Sequence, residues 1–287
     1  MKYSKLSYIR QSFLLVVIMS CMSCDRVDYF PDNPIQFKKT IFFAHHGGGD
    51  YGAANTLKSC KYGLDNLNGI ECDIQISSEG TLWLSHSSQT ESCSTFTETN
   101  FASQTDAQIE AVNACLGSEN EYCRLDSVFN YMSKKNSGEL ISLDVKAWEP
   151  DKLENADIID EMNRLAQSII NLVSKYGLSH QVMVESETGD FLYYIKTHSD
   201  NIETYLSTDG DFELGTSRAL KAGFTGISFK YKFDEEITLE QIQLIHRKGL
   251  KIHLWTVDDL ADINEALSIQ PDYIQTDNVN YVMNLNY

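Results

Sequence analysis

The sequence predicts an α/β protein whose main domain is a closed (β/α)8 TIM barrel, with a β-hairpin and a cysteine-containing insertion after the second barrel strand. Three observations predict it. Eight short apolar runs, at residues 41–45, 69–74, 140–146, 181–185, 202–207, 226–230, 252–257 and 273–276, are spread along the chain. Amphipathic helical patterns separate several of them, and strand–helix alternation repeated eight times over roughly 260 residues favours a closed barrel over an open sheet. A ninth strand-like run, directly after the second, breaks that alternation and reads as the return arm of a hairpin. Composition agrees: 42% hydrophobic residues with only four prolines and sixteen glycines exclude a collagen-like or largely disordered chain.

The first element in order is not part of the barrel. Residues 1–20 hold Lys2, Lys5 and Arg10, no acid, and the apolar run from Phe13 to Met19. This is the layout of an export signal, and its apolar stretch is shorter than the ~20 residues a spanning helix needs. Ile18-Met19-Ser20-Cys21 resembles a bacterial lipobox, so residues 1–20 read as a lipoprotein-type signal peptide with lipidation at Cys21. Cys24, after Ser23, is the second candidate, and a Cys-x-x-Cys metal or redox pair is the alternative. Residues 21–39 read as a linker and residues 40–287 as a single domain. The expected location is the cell envelope, with the membrane a partner through the anchor. Removing three positive charges and no negative ones takes the net charge from −18 to −21. So acidic a chain lacks the electropositive face that a phosphate-backbone binder needs, which argues against nucleic acid as a partner.

Within the domain, the cluster Ser77-Ser78-Glu79-Gly80 separates Glu71-Cys-Asp-Ile-Gln-Ile76 from Thr81-Leu-Trp-Leu-Ser-His86. A hairpin turning near residue 79 sets Asp73 opposite Ser85 and Glu71 opposite Ser87, and returns His86 to the neighbourhood of both acids. The insertion at residues 92–120 is rich in Ser, Thr and Asn and carries a helical pattern over 106–116. It reads either as a lid over the barrel mouth or as a passive excursion. Cys93, Cys115 and Cys123 lie in or beside it, and a disulfide among them is expected without a fixed connectivity; Cys72 reads as a small core residue. Farther on, residues 156–175 place Ile158, Ile159, Met162, Leu165, Ile169, Ile170 and Val173 near a 3.6 period, and 239–248 and 261–268 read similarly.

The chemistry gathers at strand ends. Glu71 and Asp73 are two apart on one strand, so their side chains leave the same face and converge. Asp144 and Lys146 repeat that spacing on a later strand. Oxygen-only ligands suit Ca²⁺ or Mg²⁺ better than zinc. His45-His46-Gly47-Gly48-Gly49 ends the first strand, where the active face of a barrel lies, and its glycines permit close backbone approach to a phosphate. An ion to neutralise phosphate oxygens, with His45 and His86 as proton donor and acceptor, suits cleavage of a phosphodiester.

Those residues resemble a known family. Ala44-His45-His46-Gly47, Asn55-Thr56-Leu57, Gly69-Ile-Glu71-Cys-Asp73-Ile-Gln-Ile, Glu79-Gly80 and Ser85-His86 are similar, in order, to the opening segments of the glycerophosphodiester phosphodiesterase family, within the phospholipase-C-like phosphodiesterase TIM-barrel superfamily. Those segments are usually His-Arg-Gly, Pro-Glu-Asn-Thr, Glu-x-Asp-Val, Asp-Gly and His-Asp. Cys123-Arg-Leu125-Asp-Ser-Val128, Leu143-Asp144-Val-Lys146, Trp255-Thr256-Val257-Asp258 and Thr276-Asp277 resemble the later ones. The resemblance implies a barrel enzyme that hydrolyses a small glycerophosphodiester to sn-glycerol 3-phosphate and an alcohol. It implies one divalent cation, Ca²⁺ or Mg²⁺, on Glu71, Asp73 and Asp144, with His45 and His86 as acid and base in either order and Lys146 facing the phosphate. In related enzymes a neighbouring substrate hydroxyl is the first nucleophile, so direct attack by water is not assumed.

The chain departs from the pattern at four places. His46 replaces the arginine, Ala54 the glutamate and Ser87 the aspartate after the second histidine, while the third ligand is Asp144. The related spider sphingomyelinase D group also carries aspartate at that ligand position. His46 remains a substrate-binding candidate, and Lys230 or Lys146 is expected to supply the charge the missing arginine would have given. Glu185 is expected at the mouth, facing an alcohol or head group, and Trp255 either lines the pocket or packs the barrel. Two other functions stay open: phospholipase-D-like or lyase-type action on another phosphodiester or lysophospholipid, and a non-catalytic barrel that binds phosphorylated ligands.

Overall fold

The computed structural model describes residues 39–92, 99–145, 156–208, 210–232 and 237–285, with the backbone alone for 156–158. All of them fall in one compact unit, Asp32–Tyr287. The expected leader, Cys21, Cys24, Cys93 and Lys146 lie outside the described residues.

Every one of the eight expected runs is a barrel strand. They are β1 (Ile41–Ala44), β2 (Gly69–Ile76), β5 (Leu140–Val145), β6 (Val182–Ser186), β7 (Glu203–Thr208), β8 (Gly226–Lys230), β9 (Lys251–Trp255) and β10 (Tyr273–Thr276). Each pairs in parallel with its neighbours, and the β1–β2 pairing closes the ring. Between β2 and β5, β3 (Leu82–Leu84) pairs antiparallel with β2, and the two-residue β4 (Cys123–Arg124) pairs antiparallel with β3. The hairpin register is the expected one: Ile74 faces Leu84, and the Ser85 amide donates to the Asp73 carbonyl at 3.1 Å.

The helices α1 (Leu57–Asn66), α3 (Leu125–Lys135), α4 (Ala156–Tyr176), α5 (Gly189–His198), α6 (Phe212–Ala222), α7 (Leu239–Arg247), α8 (Leu260–Ser268) and α9 (Val279–Val282) follow the strands, and α2 (Asp106–Leu116) lies in the insertion. Reciprocal Thr caps begin α1 (Thr56 with Ser59), α2 (Thr105 with Gln108) and α7 (Thr238 with Gln241), satisfying amides that a helix start leaves unpaired. In α4 the apolar stripe is buried at Met162, Leu165, Ile169 and Val173, whereas Ile159 in the first turn is exposed. No helix among the described residues is long and apolar enough to cross a membrane.

The main hydrophobic core lies where the helices cover the strands. Inside the barrel the filling is layered. At the lower end Lys251 Nζ donates to both Glu203 oxygens, at 2.6 and 2.9 Å, and Tyr205 donates to the same carboxylate. Above it Phe43, Met183, Tyr205 and Tyr273 form an apolar plug. The insertion has a small core of its own, Trp83, Phe101 and Ile109, and Asp106 at the start of α2 accepts from Ser77, Thr81 and Trp83 of the hairpin. Cys115 is disulfide-bonded, whereas Cys60, Cys72 and Cys123 are free and buried, so Cys123 is not part of the expected bridge.

Candidate metal centre and catalytic site

The β2–β5 register places Glu71 beside Ser142 and Asp73 beside Asp144. Alternation then sends all three acids, Glu71, Asp73 and Asp144, to the barrel interior, where one oxygen of each lies within 4.8 Å of the others. Glu71 and Asp73 are 2% and 1% exposed. Burial, followed by the charges of Asp73 and Asp144, pushes the Glu71 carboxyl well above the usual carboxylate range. Three converging carboxylates with that surplus of negative charge fit a hard divalent cation held by oxygen.

The loop after β1 fixes the ligands from one side. Asn55 Nδ2 donates to Asp73 Oδ2 at 2.8 Å, and the Asp73 amide donates to Asn55 Oδ1 at 3.1 Å. The His46 amide donates to Glu71 Oε2 at 2.9 Å, an approach made possible by a left-handed His46 backbone with φ of 52°. Gly47, at φ 89°, lies on α1 so closely that a Cβ there would come 2.7 Å from Cys60 Sγ. The glycines after His46 thus serve chain packing around the histidines.

His45 Nδ1 is 3.0 Å from Asp277 Oδ1, and His45 Nε2 is 3.9 Å from Glu71 Oε2. Burial works against ionisation of Asp277, but the hydrogen bond and charge of His45 hold its carboxyl below the usual range. An ionised Asp277 takes the Nδ1–H of His45 and leaves Nε2 turned toward Glu71. Asp277 is itself held by Asp258, whose Oδ1 accepts the Asp277 amide at 2.7 Å. The His46 ring stacks on His45 with centroids 3.6 Å apart and lies 5.8 Å from the His86 ring. Burial and then the neighbouring His45 lower the His46 pKa to about 4, so the ring is neutral at pH 7 despite standing 3.3 Å from Asp73. It cannot reproduce an arginine's permanent charge.

Lys230 and Trp255 are register partners at the ends of β8 and β9, with Lys230 Nζ 5.6 Å from the Trp255 ring centroid. Both are partly exposed. Glu185 corrects the expectation of a mouth residue. It is 2% exposed, and its carboxylate accepts from the Ser142 and Ser228 hydroxyls and from Gln275 Nε2 at 2.9 Å. His253 Nδ1 stands 3.1 Å from it, an ion-pair contact without hydrogen-bond alignment. These partners come from four other strands, so they meet inside the barrel, and each oxygen of Glu185 accepts at least one hydrogen bond from them. Burial alone would raise its pKa; the charge of His253 and the donated hydrogen bonds outweigh that and lower it to about 2.

Two site residues went unassigned in the sequence, Asn55 and Asp277, although both stand in the matching segments. A one-dimensional signal existed for the Glu185 partners as well. Ser142, Ser228, His253 and Gln275 each stand two residues before a strand-end polar or aromatic residue, the spacing of one inward face.

A closed barrel with acids, histidines and a lysine at the carboxyl ends of its strands places them where barrel enzymes carry their active sites. The chain matches the glycerophosphoryl diester phosphodiesterase family over residues 45–281 and belongs to that family, whose members are phosphoric diester hydrolases. No functionally curated protein matches it. Among solved structures it is similar to a glycerophosphodiester phosphodiesterase from Parabacteroides distasonis, with 17% identity, 86% of this chain and 98% of that one covered and a TM-score of 0.68. It is similar also to the one from Thermotoga maritima, with 18% identity, 88% and 100% covered and a TM-score of 0.67. A third is an Oleispira antarctica phosphodiesterase in complex with the product sn-glycerol-3-phosphate, with 14% identity, 84% and 94% covered and a TM-score of 0.67. At these identities the likeness is one of fold.

Proposed function

We propose that the protein hydrolyses glycerophosphodiesters to sn-glycerol 3-phosphate and an alcohol, with one divalent cation, Ca²⁺ or Mg²⁺, on Glu71, Asp73 and Asp144. The observation that carries this reading is the convergence of three carboxylates, two of them buried, beside a histidine whose far nitrogen is held by Asp277. When bound, such a cation withdraws charge from phosphate oxygens. His45 and His86 are the proton-transfer pair, one taking a proton from the attacking hydroxyl and the other giving one to the departing alcohol oxygen. Asp277 keeps His45 in the tautomer that presents Nε2. Lys230, with Trp255 beside it, and Lys146 provide positive charge for the phosphate, while His46 supplies only a neutral ring.

The deciding experiment incubates residues 25–287 with glycerophosphodiesters of several head groups, with and without Ca²⁺ or Mg²⁺, beside His45→Ala and Asp277→Asn. Ion-dependent release of glycerol 3-phosphate is expected, lost in His45→Ala and lowered about 10²–10⁴-fold in Asp277→Asn. Replacement of the family's arginine and glutamate by His46 and Ala54 favours one second reading, action on another phosphodiester. Turnover of a lysophospholipid or sphingomyelin that spares glycerophosphocholine would select it.

Export and anchoring through Cys21 belong to the same proposal and rest on the residue pattern of 1–24. Labelling with a fatty-acid analogue should mark the protein and fail in Cys21→Ala. Label retained in that variant and lost in Cys24→Ala would move the anchor.

A further inference from the structure

The strand that carries Glu71 and Asp73 holds a cysteine between them, and its side chain leaves the opposite face. There it meets a second thiol: Cys72 Sγ lies 3.6 Å from Cys60 Sγ on α1. Both residues are fully buried in the layer between barrel and helices. A bond between them needs the sulfurs to approach from 3.6 Å to the ~2.05 Å of a disulfide. The other nearby thiol is turned away, since Cys123 Sγ donates to the Arg124 carbonyl at 3.3 Å.

A contact between two apolar thiols is by itself ordinary packing. Two further observations point past packing. First, Cys115 is disulfide-bonded, so this chain makes disulfides where it works. Second, α1 is already tied to β2 beside the ligands: Asn55, immediately before the Thr56 cap, exchanges two hydrogen bonds with Asp73. Cys60 lies one turn into the same helix and touches Gly47 of the histidine loop. A covalent link from Cys60 to Cys72 would therefore complete a two-point attachment of the ligand strand.

We propose that Cys60 and Cys72 form a second disulfide that clamps the ligand-bearing strand β2 to helix α1. The two thiols lose two protons and two electrons to a disulfide oxidant, which is reduced to two thiols, and the Sγ–Sγ bond forms. Because both sulfurs are sealed in the finished fold, the bond is made during folding, before α1 closes on the strand. Its existence does not depend on the substrate; only its value for ion binding rests on the proposed function.

The test refolds the denatured, reduced residues 25–287 in a mixture of oxidised and reduced glutathione, blocks free thiols under denaturing conditions, and maps the peptides by mass spectrometry. The Cys115 bridge serves as the internal control that the oxidant acted. A 60–72 linked peptide is expected, with a melting temperature about 5–10 °C above that of Cys60→Ser and of Cys72→Ser treated alike. Both thiols recovered blocked while Cys115 is bridged would overturn the proposal, as would a 60–123 link. If a serine variant does not refold, Cys115→Ser, which lacks the other bridge, is melted with and without prior reduction, and no downward shift counts against the bond. Catalytic turnover is not read, so an inactive enzyme leaves the result intact.

Discussion

Two buried groups of acid stand side by side in this barrel, and they are handled in opposite ways. Asp144 and Glu185 are register partners on neighbouring strands. On the Asp144 side, Glu71, Asp73 and Asp144 converge, and the Glu71 carboxyl is pushed up by burial and by its two neighbours. Glu185, equally buried, meets two hydroxyls, an amide and an imidazole, and its pKa is lowered to about 2. Burial is common to both, so burial does not mark a functional acid. The neighbours do: Glu185 is surrounded by donors, and the trio by like charge that a cation would neutralise.

The largest effect that tests this contrast is on turnover. Glu71→Ala should lower kcat by about 10³-fold or more and abolish ion dependence, whereas Glu185→Gln should keep ion binding. Next is stability. Glu185→Ala leaves two hydroxyls and an amide buried without their acceptor and should cost about 3 kcal/mol or more in denaturant unfolding. Glu185 also predicts a pH window. Its folded pKa is depressed from 4.5 to about 2, so the stability it adds is present above the unfolded value and is lost as pH falls from about 4.5 toward 2. Melting temperatures across that range should fall more steeply for wild type than for Glu185→Gln.

A third, smaller effect comes from ion removal. At 100 times its Kd the cation should add about 2.7 kcal/mol to wild type and nothing to Glu71→Gln. In chelator at pH 7 the order should reverse, with Glu71→Gln the more stable, because a raised carboxyl pKa lowers stability above that pKa. The smallest is Ser228→Ala, which removes one of the hydroxyls on Glu185 and should cost about 1–3 kcal/mol. If Ser228→Ala proves as damaging as Glu185→Ala, the donors do not act separately and the contrast fails.

The strands were legible because a barrel repeats one local signal, an apolar run between helices, and because hairpin register follows from its turn. Asp73 opposite Ser85 needed nothing but that turn. The convergence of Glu71 and Asp73 was legible for the same reason, since spacing by two on one strand is visible in the chain, whereas Asp144 joined them only through the family resemblance. β4 was not, being two residues long and too short to alternate. Nor was the environment of Glu185, whose partners Ser142, Ser228 and Gln275 stand 43, 43 and 90 positions away. Asp277 and His45, 232 positions apart, meet through closure of the ring. Periodicity tells which way a side chain points, and only the closed barrel tells what else points there.

The hairpin has one more consequence. β2 runs on to Ile76, whereas its pairing with β5 ends at Ile74, so the end of the strand continues past both barrel neighbours and carries β3, β4 and the insertion. The insertion is fastened to this extension through Asp106 and the Trp83 cluster. Its length and composition can therefore change over evolution while Glu71, Asp73 and Asp144 stay in register. The molecule separates an interchangeable outer wall from a fixed reactive floor, and new selectivities can be tried on the wall without rebuilding the floor.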